Sequence, residues 1–167
     1  MRPEELSEQL RRGTGEFLSR RRKIAGLALT ATGSMGLVSL YQLGIIKHLP
    51  DPPLPGFDSD RVDASAEAYS KLWMPDGPIG LGSYAATLGL AAMGGEDRMS
   101  EKPWIPLLLA VKVAFDALQA GKLTVDQVTK HRALCVWCLL AAGSTFATVP
   151  LVIPEARAAL RELRTGR

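Results

Sequence analysis

Cys135 and Cys138 are three residues apart, the spacing of a dithiol that can close on itself or of half a metal site. On a helix, cysteines at this spacing share a face and form an intramolecular disulfide with little strain. They are the only cysteines in the chain, too few for a disulfide scaffold, and His48 and His131 are the only histidines. Together the four side chains would complete a zinc-type set, but His48 comes from a different segment and the usual paired-histidine spacing is absent. A histidine four residues ahead of Cys135 either stabilises a thiolate or stands exposed in a loop. Trp137 sits between the cysteines, with Trp73 and Trp104 near other predicted boundaries. Such tryptophans either anchor helices at the headgroups or stack on a flat redox ligand.

What must position the thiols is legible in the apolar pattern. The mean hydropathy of +0.08 is an average of long apolar stretches and two charged ends. Residues 24–46 run for 23 residues without a charge, enough for a helix to cross a hydrocarbon layer of roughly 30 Å. The basic run at Arg20–Lys23 also suits a cleaved signal, the twin-arginine type included, but no small-x-small cleavage site follows, so the segment reads as an uncleaved anchor. A second span is predicted over 78–93, rich in Gly and Ala and permitting close helix contact. A third, 103–120, carries Lys112 and Asp116, spaced to pair on one helix face or to serve as a proton route. A fourth runs over 133–153 and stops at Pro154 and Glu155. The prolines at 50, 52, 53 and 55 interrupt the 47–76 loop, whose second part, 62–73, suits a short helix along the membrane. A loop of this length is rarely idle. The expected fold is all-α, an integral membrane four-helix bundle: a basic arm 1–23, a four-span domain 24–156 and a basic tail 157–167.

The net charge of +3 and pI near 9.0 would suit nucleic acid in a soluble domain, but the basic residues flank apolar spans and form no patch with interleaved aromatics. They encode topology, and no nucleic-acid partner is expected. The arm, the middle turn and the tail hold thirteen Lys and Arg against six in the other two loops, which places both termini on the cytoplasmic side. Cys135, Cys138, His48 and His131 then gather at the outer boundary, where disulfides persist. There the first-turn amides and helix dipole favour a thiolate.

The segment Ala133-Leu134-Cys135-Val136-Trp137-Cys138, running on through Thr145 to Pro154, Glu155 and Ala156, resembles the last helix of the vitamin K epoxide reductase family. Val62, Ser65, Tyr69 to Leu72 and Gly77 to Tyr84 resemble a looser version of its loop and second helix, so that the likeness covers 24–156. The resemblance to bacterial members implies a multi-pass protein of the inner (cytoplasmic) membrane, a bundle around a quinone (menaquinone, ubiquinone or phylloquinone). It implies a two-electron exchange in which Cys138 faces the quinone and Cys135 exchanges disulfides with a thioredoxin-fold thiol partner on the outer face. Candidate quinone contacts are Trp73, Tyr69 and Tyr84. One departure stands out: the family's outer loop carries a second cysteine pair, whereas 47–76 holds none and Asp60 to Ser65 occupy that region. Either a partner thiol attacks Cys135 directly, or another reductant is used, or only quinone binding remains. The competing expectation is a non-enzymatic bundle with a structural disulfide or a metal on the Cys-x-x-Cys pair.

Overall fold

The computed structural model describes residues 2–70 and 73–165. Helix α1 (Pro3–Arg12) begins on proline, carries Glu4 and Glu5 in its first turn and Arg11 and Arg12 in its last, and buries nothing. Each charge complements the helix dipole. Helix α2 (Glu16–Gln42) starts earlier than the apolar run, because a Glu16–Arg20 pair of 2.7 Å supports its first turn and Leu18 and Arg21 are buried. It stops at Gln42, short of 46, and a left-handed Gly44 (φ +76°) turns the chain away.

Two small elements follow in the loop, α3 (Ser59–Asp63) and a 3-10 turn at Ala66–Tyr69, one turn ahead of the helix expected over 62–73. Asp58 sets the start by accepting the amide of Arg61 at 3.0 Å. Lys71 and Leu72, which share in the family likeness, lie outside the described residues.

Helix α4 (Asp76–Ala92) packs closely on α2, since a Cβ at Gly77 would lie 2.6 Å from Gln42 Oε1 and one at Gly80 3.0 Å from Met35. After α5 (Arg98–Glu101), helix α6 (Trp104–Asp126) runs past the expected end at 120. The Lys122–Asp126 pair (2.7 Å) and the Thr124 hydroxyl on Ala120 O (2.8 Å) support that added stretch. A π turn, Gln127–His131, and a left-handed Arg132 (φ +50°) then reverse the chain.

Helix α7 (Val136–Thr165) continues through Pro150 and Pro154, where the sequence reading ended the span. Each proline removes one backbone bond, and tertiary anchoring beyond them outweighs the loss: Glu155, Ala156 and Ala159 are buried. Arg98 grips Glu155 in a bidentate pair along one guanidinium edge, Nε to Oε1 at 2.8 Å and Nη2 to Oε2 at 2.7 Å, and Arg21 adds a third contact at 3.0 Å. Arg98 also donates to Leu90 O and Met93 O, and Arg21 to Gly95 O. This buried cluster ties α2, α5 and α7 at one end of the bundle.

At the other end, Gln42 of α2 meets Asp76 and Gly77 of α4, and Ser34 donates to Trp137 O of α7 at 2.6 Å. The long helices therefore alternate in direction. Ile24, Ala91, Leu109, Val113 and Val152 form the core near the arginine cluster, and Ala31, Met35, Val38, Leu49 and Ala141 the core near the cysteines. Outward, α2, α6 and α7 present Leu29, Val111, Phe115, Leu118 and Phe146, an apolar belt that only lipid would cover. Among the described residues, three helices, not the four expected, are long and apolar enough to cross a bilayer, with the shorter α4 packed among them, and the chain is an all-α integral membrane bundle.

Candidate active site

The 47–76 loop is fastened across the start of α7 by its own polar groups. Asp51 accepts the Ser59 amide at 2.7 Å and the Ser59 hydroxyl at 2.5 Å. Asp60 accepts the Leu49 amide at 2.8 Å and pairs with His48 Nδ1 at 2.7 Å. A short parallel bridge joins Phe57 to Leu134, with Asp58 N on Leu134 O (3.0 Å) and Leu134 N on Gly56 O (2.8 Å). The Trp137 indole donates to Pro50 O at 3.0 Å. These bonds lay Val62 and α3 over Cys135, which is fully buried.

Cys135 immediately precedes α7, and its sulfur accepts the Cys138 amide at 3.1 Å, the bond an N-cap oxygen ordinarily makes. Its own amide donates to the buried Gln127 Oε1 at 2.9 Å, so the π turn fixes the backbone of the first cysteine. One turn on, Cys138 Sγ donates to Asp63 Oδ1 at 3.4 Å. Asp63 is 1% exposed, its Oδ2 has no hydrogen-bond partner among the described residues, and burial pushes its carboxyl up to about 6 against the pull of the two thiols. The two sulfurs and the carboxylate lie within 4.8 Å of one another.

Neither histidine joins them. His48 is held on Asp60 with its side chain largely exposed, and His131 lies 3.5 Å from Glu67. The four-ligand set considered from sequence is therefore not assembled, and three donors fall short of a closed structural zinc site.

Cys138 stands on the wall of a cavity of about 570 Å³. The cavity follows the seam between α4 and α6, which touch less than α2 and α4, α2 and α7, or α6 and α7. Met35, Ile79, Phe115, Leu123 and Ala141 give it an apolar wall, and Asp63 and Gln127 cap its cysteine end. Phe115 is 60% exposed, so the wall continues onto the lipid-facing belt. Tyr84 lines the cavity and bonds Thr145 Oγ1 at 3.0 Å. The other two aromatics named from sequence stand elsewhere: the Tyr69 hydroxyl donates to Gln42 O at 3.2 Å, and Trp73 is fully exposed. Lys112 and Asp116 form the pair their spacing implies, and both also bond Ser83 Oγ, at 2.9 and 3.1 Å. A volume of this size, its surface mostly apolar and its polar side chains including Asp63, Glu67, Asp116 and His131, fits a flat ring with polar oxygens carrying an apolar tail.

A model described as the vitamin K epoxide reductase family matches residues 23–153, which takes in the loop, both cysteines and all four bundle helices. The chain belongs to the vitamin K epoxide reductase family. No curated protein matches it. Membership in this family implies quinone-linked thiol oxidoreductase chemistry, and the Cys-x-x-Cys pair of the vitamin K epoxide reductase fold is present. Sequence reasoning missed Asp63, Gln42 and Gln127. Asp63 is one of four aspartates between 51 and 63, and no sequence signal separates it from its satisfied neighbours. Gln42 closes an uncharged span, and a polar residue at that boundary could have marked it as a tie between helices.

Proposed function

We propose that this chain is a membrane quinone–thiol/disulfide oxidoreductase that passes two electrons between the Cys135–Cys138 pair and a quinone held in the cavity. The observation that carries the reading is the Cys138 sulfur on the wall of an apolar, lipid-continuous cavity with Cys135 directly behind it. The quinone supplies a two-electron, two-proton acceptor. Cys138 provides the thiol nearest to it, Cys135 closes the disulfide, and Tyr84, Met35 and Phe115 shape the wall against which a ring would rest. The loop and α7 cover Cys135 and leave Cys138 facing the cavity.

We assign the cysteine end to the outer face and both termini to the cytoplasmic side, on the bias in basic residues. A thioredoxin-fold thiol partner would reach Cys135 only after the bridge at Phe57 and Leu134 parts, because Cys135 is covered. The flow that suits an oxidising compartment is from partner thiol to quinone.

The test is purified protein in vesicles with a menaquinone or ubiquinone analogue, with the cysteine state read by alkylation and mass. The dithiol should become disulfide when the pool is oxidised and return when it is reduced, and Cys138→Ser should abolish quinone turnover. Turnover that survives Cys138→Ser refutes the proposal. The burial of Cys135 favours a second reading, in which the cysteines only staple the helix start. In that case the cysteine state ignores the pool.

A further inference from the structure

The Asp63 side chain, unlike its carbonyl, ties no part of the loop together. Asp51, Asp58 and Asp60 each satisfy a backbone amide or a hydroxyl, and their removal would loosen the loop. Among the described residues, Asp63 Oδ1 accepts from Cys138 Sγ, the Cys135 sulfur lies within 4.8 Å of the carboxylate, and Oδ2 is buried without a hydrogen-bond partner. A buried oxygen without a donor costs roughly 1–3 kcal/mol, and the cost rises when the group is charged. A group held at such a cost beside two reacting sulfurs, on the wall of the same cavity, is placed for chemistry and not for packing.

We propose that Asp63 is the proton acceptor of the cysteine pair, taking the thiol proton as the disulfide forms and releasing it into the cavity. The inference rests on the oxidoreductase reading above. Oxidation of the dithiol breaks two S–H bonds, forms one S–S bond, and yields two electrons and two protons. The electrons go to the quinone. The Cys138 proton moves along the existing 3.4 Å contact to Asp63 Oδ1, turning the carboxylate into an acid. That acid faces the cavity and gives the proton to a quinone oxygen, after which the Cys135 proton follows the same route. The quinone thereby becomes the quinol, with two electrons and two protons gained.

The arrangement also couples redox state to protonation. In the dithiol form, the two thiol donors hold the Asp63 carboxyl down while burial and the neighbouring Asp76 and Asp51 push it up. Among the described residues, Tyr41 of α2 also interacts electrostatically with it, and Gln42 ties Asp76 through Oδ1 at 2.8 Å. Disulfide formation removes both donors and leaves the upward influences unopposed. The carboxyl then holds a proton at a pH where it was ionised before.

The experiment is an infrared titration of the carboxylic acid band in the full-length protein in detergent. The band is assigned by its loss in Asp63→Asn, and the pair is oxidised by diamide with no quinone present. The expected midpoint is about 6 in the dithiol form, rising by about one pH unit or more in the disulfide form. A midpoint that ignores the redox state overturns the proposal, and the variant serves in this arm only to assign the band. In a second arm, a single turnover with a soluble quinone should slow about a hundredfold in Asp63→Asn and lose its fall in rate at acid pH. An unchanged rate and pH profile in a folded variant also overturns it. If the midpoint moves with diamide but quinone never oxidises the pair, the oxidoreductase reading fails while Asp63 keeps its role. If quinone oxidises the pair while the midpoint stays fixed, the proton assignment fails alone.

Discussion

Replacing Asp63 by Asn should make the protein more stable at neutral and alkaline pH while making it a poorer thiol reagent. In the folded state the Asp63 carboxyl lies at about 6, above the ordinary value of 3.8. The folded chain therefore binds this proton more tightly than the unfolded chain. Stability from this group is fully present below about pH 4, falls as pH rises towards 6, and is level above it. A rise of about two pH units corresponds to about 3 kcal/mol at about pH 8. Asparagine keeps an oxygen for the Cys138 thiol and places an amide where Oδ2 has no partner, which returns about 1 kcal/mol of the gain. The net gain of about 2 kcal/mol corresponds to a melting temperature higher by roughly 4–8 °C for a chain of this size. The assay is thermal unfolding of reduced protein in detergent at about pH 4.5, 6 and 8. The difference between the variant and the wild type should grow across that series. A variant that melts at or below the wild type at about pH 8, or by a margin that does not change with pH, refutes the reasoning.

Glu155→Ala leaves Arg98 and Arg21 buried beside each other without their anion, and should cost about 3–5 kcal/mol in unfolding free energy, read by the same melts. Gly77→Ala forces a methyl group against Gln42 Oε1 and Ser39 where α2 and α4 approach, and should destabilise by about 1–3 kcal/mol. Gln42→Ala removes the donor to Asp63 O and Asp76 Oδ1 and the acceptor of the Gly77 amide, so hydrogen exchange across 59–63 should speed up at least tenfold. Unaltered exchange in that stretch would show that Gln42 does not hold α3 in place.

The residues that face lipid or carry net charge were readable in the sequence. The apolar stretches marked the helices of the bundle, although the structure makes three of them long and apolar enough to span where four spans were expected, and the spacing of Lys112 and Asp116 gave their pairing. Helix ends were less readable, because tertiary anchors set them: α7 runs through Pro154 on the strength of Glu155 and Ala159, residues that look like the start of a polar tail. In the site, the Cys-x-x-Cys spacing pointed to the chemistry. Its surroundings depend on a loop crossing from α2 to the start of α7, and no local pattern announces that Asp63 and Val62 come to rest there. Aromatic type alone could not sort Tyr84, which lines the cavity, from Trp73 and Tyr69, which do not.

The Asp51–Ser59 tie and the Phe57–Leu134 bridge close the cover over Cys135 with protons shared between oxygens and nitrogens, and with no sulfur. Oxidation of the pair leaves these ties intact and alters only the Asp63–Cys138 contact beside them, so warmth or mild denaturant, loosening a few weak bonds, would raise the rate at which the cover opens in either redox state.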